Sequence, residues 1–240
     1  MIKTLINRLI PGKIKKSIRD SLGVPTQEAS LSNIRRLGFN PGCCLDIGAY
    51  QGEWTCDFKQ IFPDCAVLML EGQEEKESYL KTIKNTYSHV DYRIALLGAG
   101  QNTVVFHKYE SGSSVLKEDN VTGAVVETRT LIPLDTLVSG SPFARPDLIK
   151  IDTQGYELEI LKGGTKTLAA AEFVLLEVSL LDIYRDCPLV GDVIDFMQGH
   201  GFVLYDICTL MKRPLDGALF QSDFLFVKKT SPFRSDRRWY

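Results

Sequence analysis

From residue 42 onward, short apolar runs alternate with stretches of helical periodicity, and a chain patterned this way has few means of burying itself. It calls for a parallel sheet covered by helices on both faces. Strands are expected at residues 43–47, 66–70, 92–96, 148–151, 173–177, 202–207 and 223–227. Helices are expected at residues 53–62, 74–85, 156–168 and 189–199, the last stopped by Gly201. Residues 98–140 break the pattern, because 103–109 and 124–131 alternate like an antiparallel pair around a polar Ser/Gly segment. The expected architecture is α/β: a doubly wound, mostly parallel seven-stranded sheet with a β-hairpin insertion. A length of 240 residues suits one such domain at 41–230, with an N-terminal basic helical arm at 1–40 and a tail at 231–240.

Charge is unevenly spread. Residues 1–20 carry six bases and the single acid Asp20, a net +5, and the remainder is −7. Ile2, Leu5, Ile6, Leu9 and Ile10 recur at helical spacing in that arm, which suits a helix on an anionic membrane surface, on the body or on a second copy of the chain. The overall charge of −2 gives no electrostatic footprint for nucleic acid. The longest apolar stretch, around Phe173 to Leu181, is interrupted by Glu177 and falls short of the roughly 20 residues a spanning helix needs. Six cysteines without a CxxC pair read as small buried hydrophobes. With no secretory signal pattern at the N-terminus, the cytoplasm is the default compartment, with the arm able to touch the inner face of the membrane.

The first strand ends in Asp46-Ile47-Gly48-Ala49-Tyr50-Gln51-Gly52, where an open α/β sheet binds ligands beyond its strand ends. A dinucleotide fingerprint would need a second glycine where Tyr50 stands, and no P-loop occurs anywhere. An acid ahead of the glycines repels phosphate but suits a cationic ligand such as S-adenosylmethionine, whose amino group or sulfonium Asp46 could help hold. The second strand ends at Glu71, 19 residues after Gly52, and a carboxylate there is the usual grip on the two hydroxyls of a ribose. Asp46, Gly48, Ala49, Tyr50, Gly52, Glu71, Gly72 and, near the end of the third strand, Ala95 form the expected cofactor site.

Beyond this loop, Ser113-Ser114, the run Pro133-Leu134-Asp135-Thr136-Leu137 and the stretch from Ile149 through Asp152, Gln154, Gly155 and Glu157 to Gly163 stand out. So do Leu176-Glu177-Val178, Tyr184 and the Gly201-Phe202 turn. Over about residues 41–207 the chain resembles the FkbM-type S-adenosylmethionine-dependent methyltransferases. The resemblance implies a class I, Rossmann-like methyltransferase fold and O-methylation of a hydroxyl on a sugar, glycan, glycolipid or other polyhydroxylated metabolite. It implies no partner for the arm or the tail. Two departures stand out: Gln154 replaces the family's usual Glu, and Glu71-Gly72 replaces its Glu-Pro.

Methyl transfer from a sulfonium is an in-line displacement, so the acceptor oxygen must be aligned and its proton taken. Asp152, at the end of the fourth long parallel strand, is the expected base. An Asp of ordinary pKa about 3.9 is weak toward a sugar hydroxyl, which leaves room for a metal that acidifies it. Mg2+ held by Asp152, Glu157 and Glu177 is one such arrangement; Glu157 capping its own helix is the alternative. Glu177 interrupts an apolar strand and therefore either faces the cleft or pairs with a base such as Lys150. His107 on the insertion is a second candidate base, against an outward side chain opposite Phe106. Lys150 is a candidate at the catalytic end, against a strand residue snorkelling to solvent. Ser113, Ser114, Gln154 and Tyr156 are expected to meet the acceptor. Competing readings are an N- or small-metabolite methyltransferase and a non-catalytic cofactor-binding scaffold.

Overall fold

Strand β1, Cys43–Ile47, is buried along its whole length, and its five apolar or paired residues place it at the centre of the sheet. The computed structural model describes residues 22–108, 113–117 and 125–239. Before β1 comes helix α1, Gln27–Arg36, whose Thr26 cap accepts from the Ala29 N–H. Then follow α2 (Glu53–Ile61), β2 (Ala66–Glu71), α3 (Glu77–Thr86), β3 (Val90–Ile94), β4 (Leu96–Leu97), β5 (Thr103–Lys108), β6 (Val125–Ile132) and α4 (Leu134–Val138). The second half holds β7 (Leu148–Ile151), α5 (Glu157–Lys162), α6 (Thr165–Ala170), β8 (Phe173–Ser179), α7 (Val190–Gly199), β9 (Phe202–Ile207), β10 (Met211–Lys212) and β11 (Leu219–Lys228).

The main sheet runs β3-β2-β1-β7-β8-β11, with β9 and β10 both on the outer edge of β11. The pairs β1–β2, β1–β7, β2–β3 and β7–β8 are parallel, and β11 is antiparallel to β8. Chain reversal between β1 and β7 makes a crevice at the carboxyl ends of these strands, where ligands enter such sheets. Strand alternation divides the core in two. Leu45, Ile47, Ile149, Ile151, Val174 and Leu176 meet α4 to α7 on one face, while Cys44, Val67, Met69, Leu148 and Leu175 meet α1 to α3 on the other.

Three expectations are corrected. The sheet has eight strands, Met211–Lys212 adding a short rung to the seven expected. The third strand is Val90–Ile94; Leu96–Leu97 turns away to pair with β6 beside the β5–β6 hairpin. The helix expected at 156–168 is two, broken at Gly163-Gly164, because a Cβ on Gly163 would lie 2.1 Å from the Gly98 carbonyl oxygen. Helix α1 packs on the body: its Leu31 and Ile34 are buried in the core, and Phe233 of the tail packs edge-on against Phe39. Residues 1–21, which hold the basic amphipathic stretch, and Ser111-Gly112 lie outside the described residues. Among the described residues no helix is long and apolar enough to cross a membrane.

Candidate active site

A cleft of about 240 Å3 opens at the carboxyl ends of β1, β2 and β7, and its walls come from the loops after those strands and from the hairpin. Its floor is fixed by close packing. Gly48 has φ +74, and a Cβ there would lie 1.9 Å from the Asp152 carbonyl oxygen, so only glycine lets the β1 and β7 loops touch. The Gly48 and Ala49 N–H groups both donate to the Leu70 carbonyl at 2.9 and 3.1 Å. They are thereby spent on the fold, which explains why this loop is no phosphate cradle. Tyr50 sits in the left-handed region at φ 49 and aims its N–H at Glu71 Oε2, 2.7 Å away.

Glu71 is the polar centre of this side. Its Oε1 accepts from the Gln73 N–H at 2.9 Å, so each carboxylate oxygen holds one backbone donor and keeps lone pairs for a ligand. Burial pushes its carboxyl above the usual range, and the Gln73 and Tyr50 N–H bonds pull it back. Gly72 and Ala95 also line the cleft, as expected, together with Leu96 and Phe106. This set suits an adenosine: a carboxylate for ribose hydroxyls beside apolar walls for a base.

Across the cleft stands Asp152, with 35% of its side chain exposed. Gln154 donates through Nε2 to Asp152 Oδ1 at 3.0 Å and accepts through Oε1 from the Tyr184 hydroxyl at 2.7 Å. A glutamate at 154 could accept from Tyr184 but could not donate to Asp152, so the amide orients the carboxylate. Behind Asp152 a polar seam crosses one face of the sheet. Asp46, Lys150, Glu177 and Asp223 each stand two residues from an apolar residue of the α1–α3 face, and therefore share it: Cys44, Leu148, Leu175 and Leu225. Lys150 lies opposite Asp46 in register, with Nζ 3.1 Å from Asp46 Oδ1, 3.1 Å from the Gly48 carbonyl and 3.8 Å from Asp152 Oδ2. Thr55 donates to the other Asp46 oxygen at 2.7 Å.

Titration follows from this seam. Burial alone would depress the Lys150 ammonium, but Asp46 and Asp152 overcome it and hold it above the usual lysine range. Burial, then the carboxylates of Asp152, Glu157 and Asp223, push Glu177 well above the usual range; it hydrogen-bonds Asp152 and accepts from Gln221 Nε2 at 3.0 Å. Glu177 is thus held toward its protonated form beside Asp152. Asp223, its register partner, is also raised by burial, against hydrogen bonds from Thr209 at 2.6 Å and Gln27 at 2.7 Å.

Several expected roles change. Asp46 is fully buried and neutralised by Lys150, so it does not reach a ligand. Ala49 is packed into the core, and Gly52, at φ +82, starts α2 against Ile83 and Met69; neither lines the cleft. Lys150 is a buried fixed cation, neither a base nor a residue snorkelling to solvent. His107 alternates with Phe106, and it is Phe106 that is buried in the cleft wall, leaving His107 on the opposite face of β5. Glu157 Oε1 accepts from the Thr153 N–H at 2.9 Å, the Gly155 N–H at 3.1 Å and the Thr153 hydroxyl at 3.2 Å, which commits it to the loop that carries Asp152. Burial raises its carboxyl to about 7. Asp152, Glu157 and Glu177 are therefore not gathered as metal ligands, and no such cluster of three or more occurs among the described residues. Ser113, Ser114, Gln154 and Tyr156 all line the cleft. Ser114 is already engaged, donating to the Gln154 carbonyl at 3.0 Å and so tying the insertion to the Asp152 loop.

Sequence reading gave no role to Leu96, Phe106, Gln221 or Asp223, and none to Tyr184 beyond its place in the resemblance. The hydrogen bonds of Tyr184 and Gln221 span 30 and 44 residues and leave no local trace.

The Methyltransferase FkbM domain family matches residues 46–204. The hexuronic acid methyltransferase AglP of Haloferax volcanii is 41% identical over 44 residues, which is 18% of each chain. Among solved structures, the methyltransferase FkbM of Methylobacillus flagellatus KT superposes with a TM-score of 0.47 at 16% identity, covering 76% of this chain and 43% of that one. The fibrillarin/Nop5p complex gives 0.50 at 14% identity over 78% and 72%. At that identity the likeness concerns the fold.

Proposed function

The chain belongs to the FkbM methyltransferase family, and on that premise we propose that it moves the methyl group of S-adenosylmethionine to a hydroxyl of a sugar, glycan or related polyhydroxylated acceptor. Its fold is that of the class I methyltransferases, and it is an S-adenosylmethionine-dependent enzyme. The observation that carries the acceptor side is the pairing of an exposed Asp152 with a buried acid, Glu177, directly behind it. The short match to a hexuronic acid methyltransferase supports a sugar acceptor.

Bound S-adenosylmethionine supplies an electrophilic methyl on a sulfonium. Glu71 accepts hydrogen bonds from the ribose hydroxyls on its free lone pairs, with its backbone donors fixing its orientation. Tyr156, Ser113 and Gln154 bound the acceptor side of the cleft. A bound S-adenosylmethionine would offer its methyl to the aligned acceptor oxygen, with sulfur keeping the electron pair, which leaves the hydroxyl proton for the chain to take. The hydroxyl proton grows strongly acidic as the new bond forms, and Asp152 takes it. Asp152 need not be a strong base when proton transfer is coupled to bond formation rather than preceding it, and Gln154 and Lys150 hold it in place.

The test is methyl transfer by the full chain from isotopically labelled S-adenosylmethionine to a panel of hexuronic acids, neutral hexoses and amino sugars, followed by mass spectrometry. Labelled O-methyl ethers are expected. Label confined to nitrogen would replace the acceptor class, and cofactor binding without turnover on any polyol would favour the non-catalytic reading.

A further inference from the structure

Gln73 follows the ribose-binding loop, and its N–H bond to Glu71 Oε1 fixes its backbone beside that carboxylate. The residue is 4% exposed and lines the cleft. Its side-chain carbonyl, Oε1, is buried without a hydrogen-bond partner. Such a carbonyl is costly, since desolvation is not repaid, so the site holds an acceptor ready for a ligand donor. Its immediate neighbour shows what the ligand's shape must be. A Cβ on Gly72 would lie 2.9 Å from Leu96 Cδ1 and 3.4 Å from Phe106 Cζ, so two apolar side chains close over the backbone next to Gln73. A flat, largely apolar group with a polar edge fits beside such walls.

We propose that the Gln73 amide reads the edge of the adenine base and makes the cleft selective for adenosine. An amide presents a donor and an acceptor in one plane, which complements the adenine edge, where the exocyclic amino group stands next to a ring nitrogen. The ribose hydroxyls are weaker claimants on Oε1, because the Glu71 carboxylate beside them is the stronger acceptor. Glu-Pro in the resembling family and Glu71-Gly72 here differ at the residue that lets Leu96 and Phe106 approach, which ties the departure to this slot. The inference rests on the cleft being the S-adenosylmethionine site.

Calorimetry with S-adenosylhomocysteine and S-inosylhomocysteine, in which a carbonyl replaces the adenine amino group, tests it without turnover. The wild type is expected to prefer the adenosine compound by about ten- to a hundred-fold. In Gln73→Met, which keeps the side-chain volume, that preference should collapse toward one, chiefly through weaker binding of the adenosine compound. Gln73→Glu keeps an acceptor in place and should keep a preference for adenosine. Equal losses for both compounds in Gln73→Met, or an unchanged preference, would overturn the assignment. A wild type that binds neither compound would overturn the cofactor reading beneath it.

Discussion

The two walls of the cleft are built by different means. On the β1–β2 side, Gly48, Tyr50 and Glu71 form a grip out of backbone geometry, and the hydrogen bonds that Glu71 accepts from Tyr50 and Gln73 span at most 21 residues. On the β7–β8 side, Asp152 is held by a coupled set of ionisable groups gathered from across the chain: Lys150 with Asp46, Glu177 with Gln221, Asp223 with Gln27, the last 196 residues apart. A grip made of backbone recognises a shape around the one carboxylate that it holds. A seam of buried charges sets the orientation of one carboxylate and responds to any change in its members. Binding and chemistry are thereby assigned to different walls, joined at Lys150.

The largest effects should come from striking one wall at a time. Asp152→Asn removes the proton acceptor and should lower kcat about 10²–10⁴-fold while S-adenosylhomocysteine binds as in the wild type. Glu71→Ala should do the reverse, weakening that binding by about 1.5–3 kcal/mol through lost charge-assisted hydrogen bonds. Calorimetry and single-turnover rates on both variants check the separation. If Asp152→Asn turns over at the wild-type rate, the base lies elsewhere; if it loses cofactor affinity as Glu71→Ala does, the walls are not independent.

Lys150 is the element common to both walls, since it pairs with Asp46 on β1 and faces Asp152 on β7. Lys150→Met leaves the buried Asp46 carboxylate without its cation, and loss of one partner of a buried pair costs about 3–5 kcal/mol. Denaturant unfolding should show a loss of that order. An unchanged midpoint would mean that Asp46 is neutral in the fold and that the seam carries no charge pair.

How far the sequence revealed these walls follows from the same contrast. The local wall was legible: a strand-end glycine loop and an acid 19 residues beyond it are features of spacing, and the structure brings Gly48, Tyr50 and Glu71 to one cleft. Period-two alternation also revealed that Glu177 breaks an apolar strand. It could not choose its partner, because register decides that: Lys150 stands opposite Asp46 on one side and Leu175 on the other, so its charge goes to β1. For His107 and Phe106 the alternation is symmetric, and only packing of the hairpin over the cleft decides which of them faces inward. The break at Gly163-Gly164 depends on the Gly98 carbonyl, a contact no local propensity encodes. Sequence revealed which residues were unusual, and long-range pairing decided what each one does.

A pH-dependent effect probes the loop that joins the seam to the cleft. Glu157 holds Thr153 and Gly155 by three donors to one carboxylate oxygen, and burial raises its pKa from 4.5 to about 7. A carboxyl whose pKa is higher in the folded than in the unfolded chain stabilises the fold while it is protonated. That contribution is full below about 4.5 and is lost as the pH rises through about 7. Glu157→Gln keeps an oxygen that can accept the same three hydrogen bonds but has no proton to lose. Compared over pH 4.5 to 8 by chemical unfolding, the wild type should therefore lose up to about 3 kcal/mol relative to the variant. Glu177, whose carboxyl the Glu157 charge helps to raise, is raised less in the variant, so it adds to the difference in the same direction. Parallel stability curves would show that Glu157 ionises as freely in the fold as in the unfolded chain, and that the Asp152 loop is not held by a buried acid.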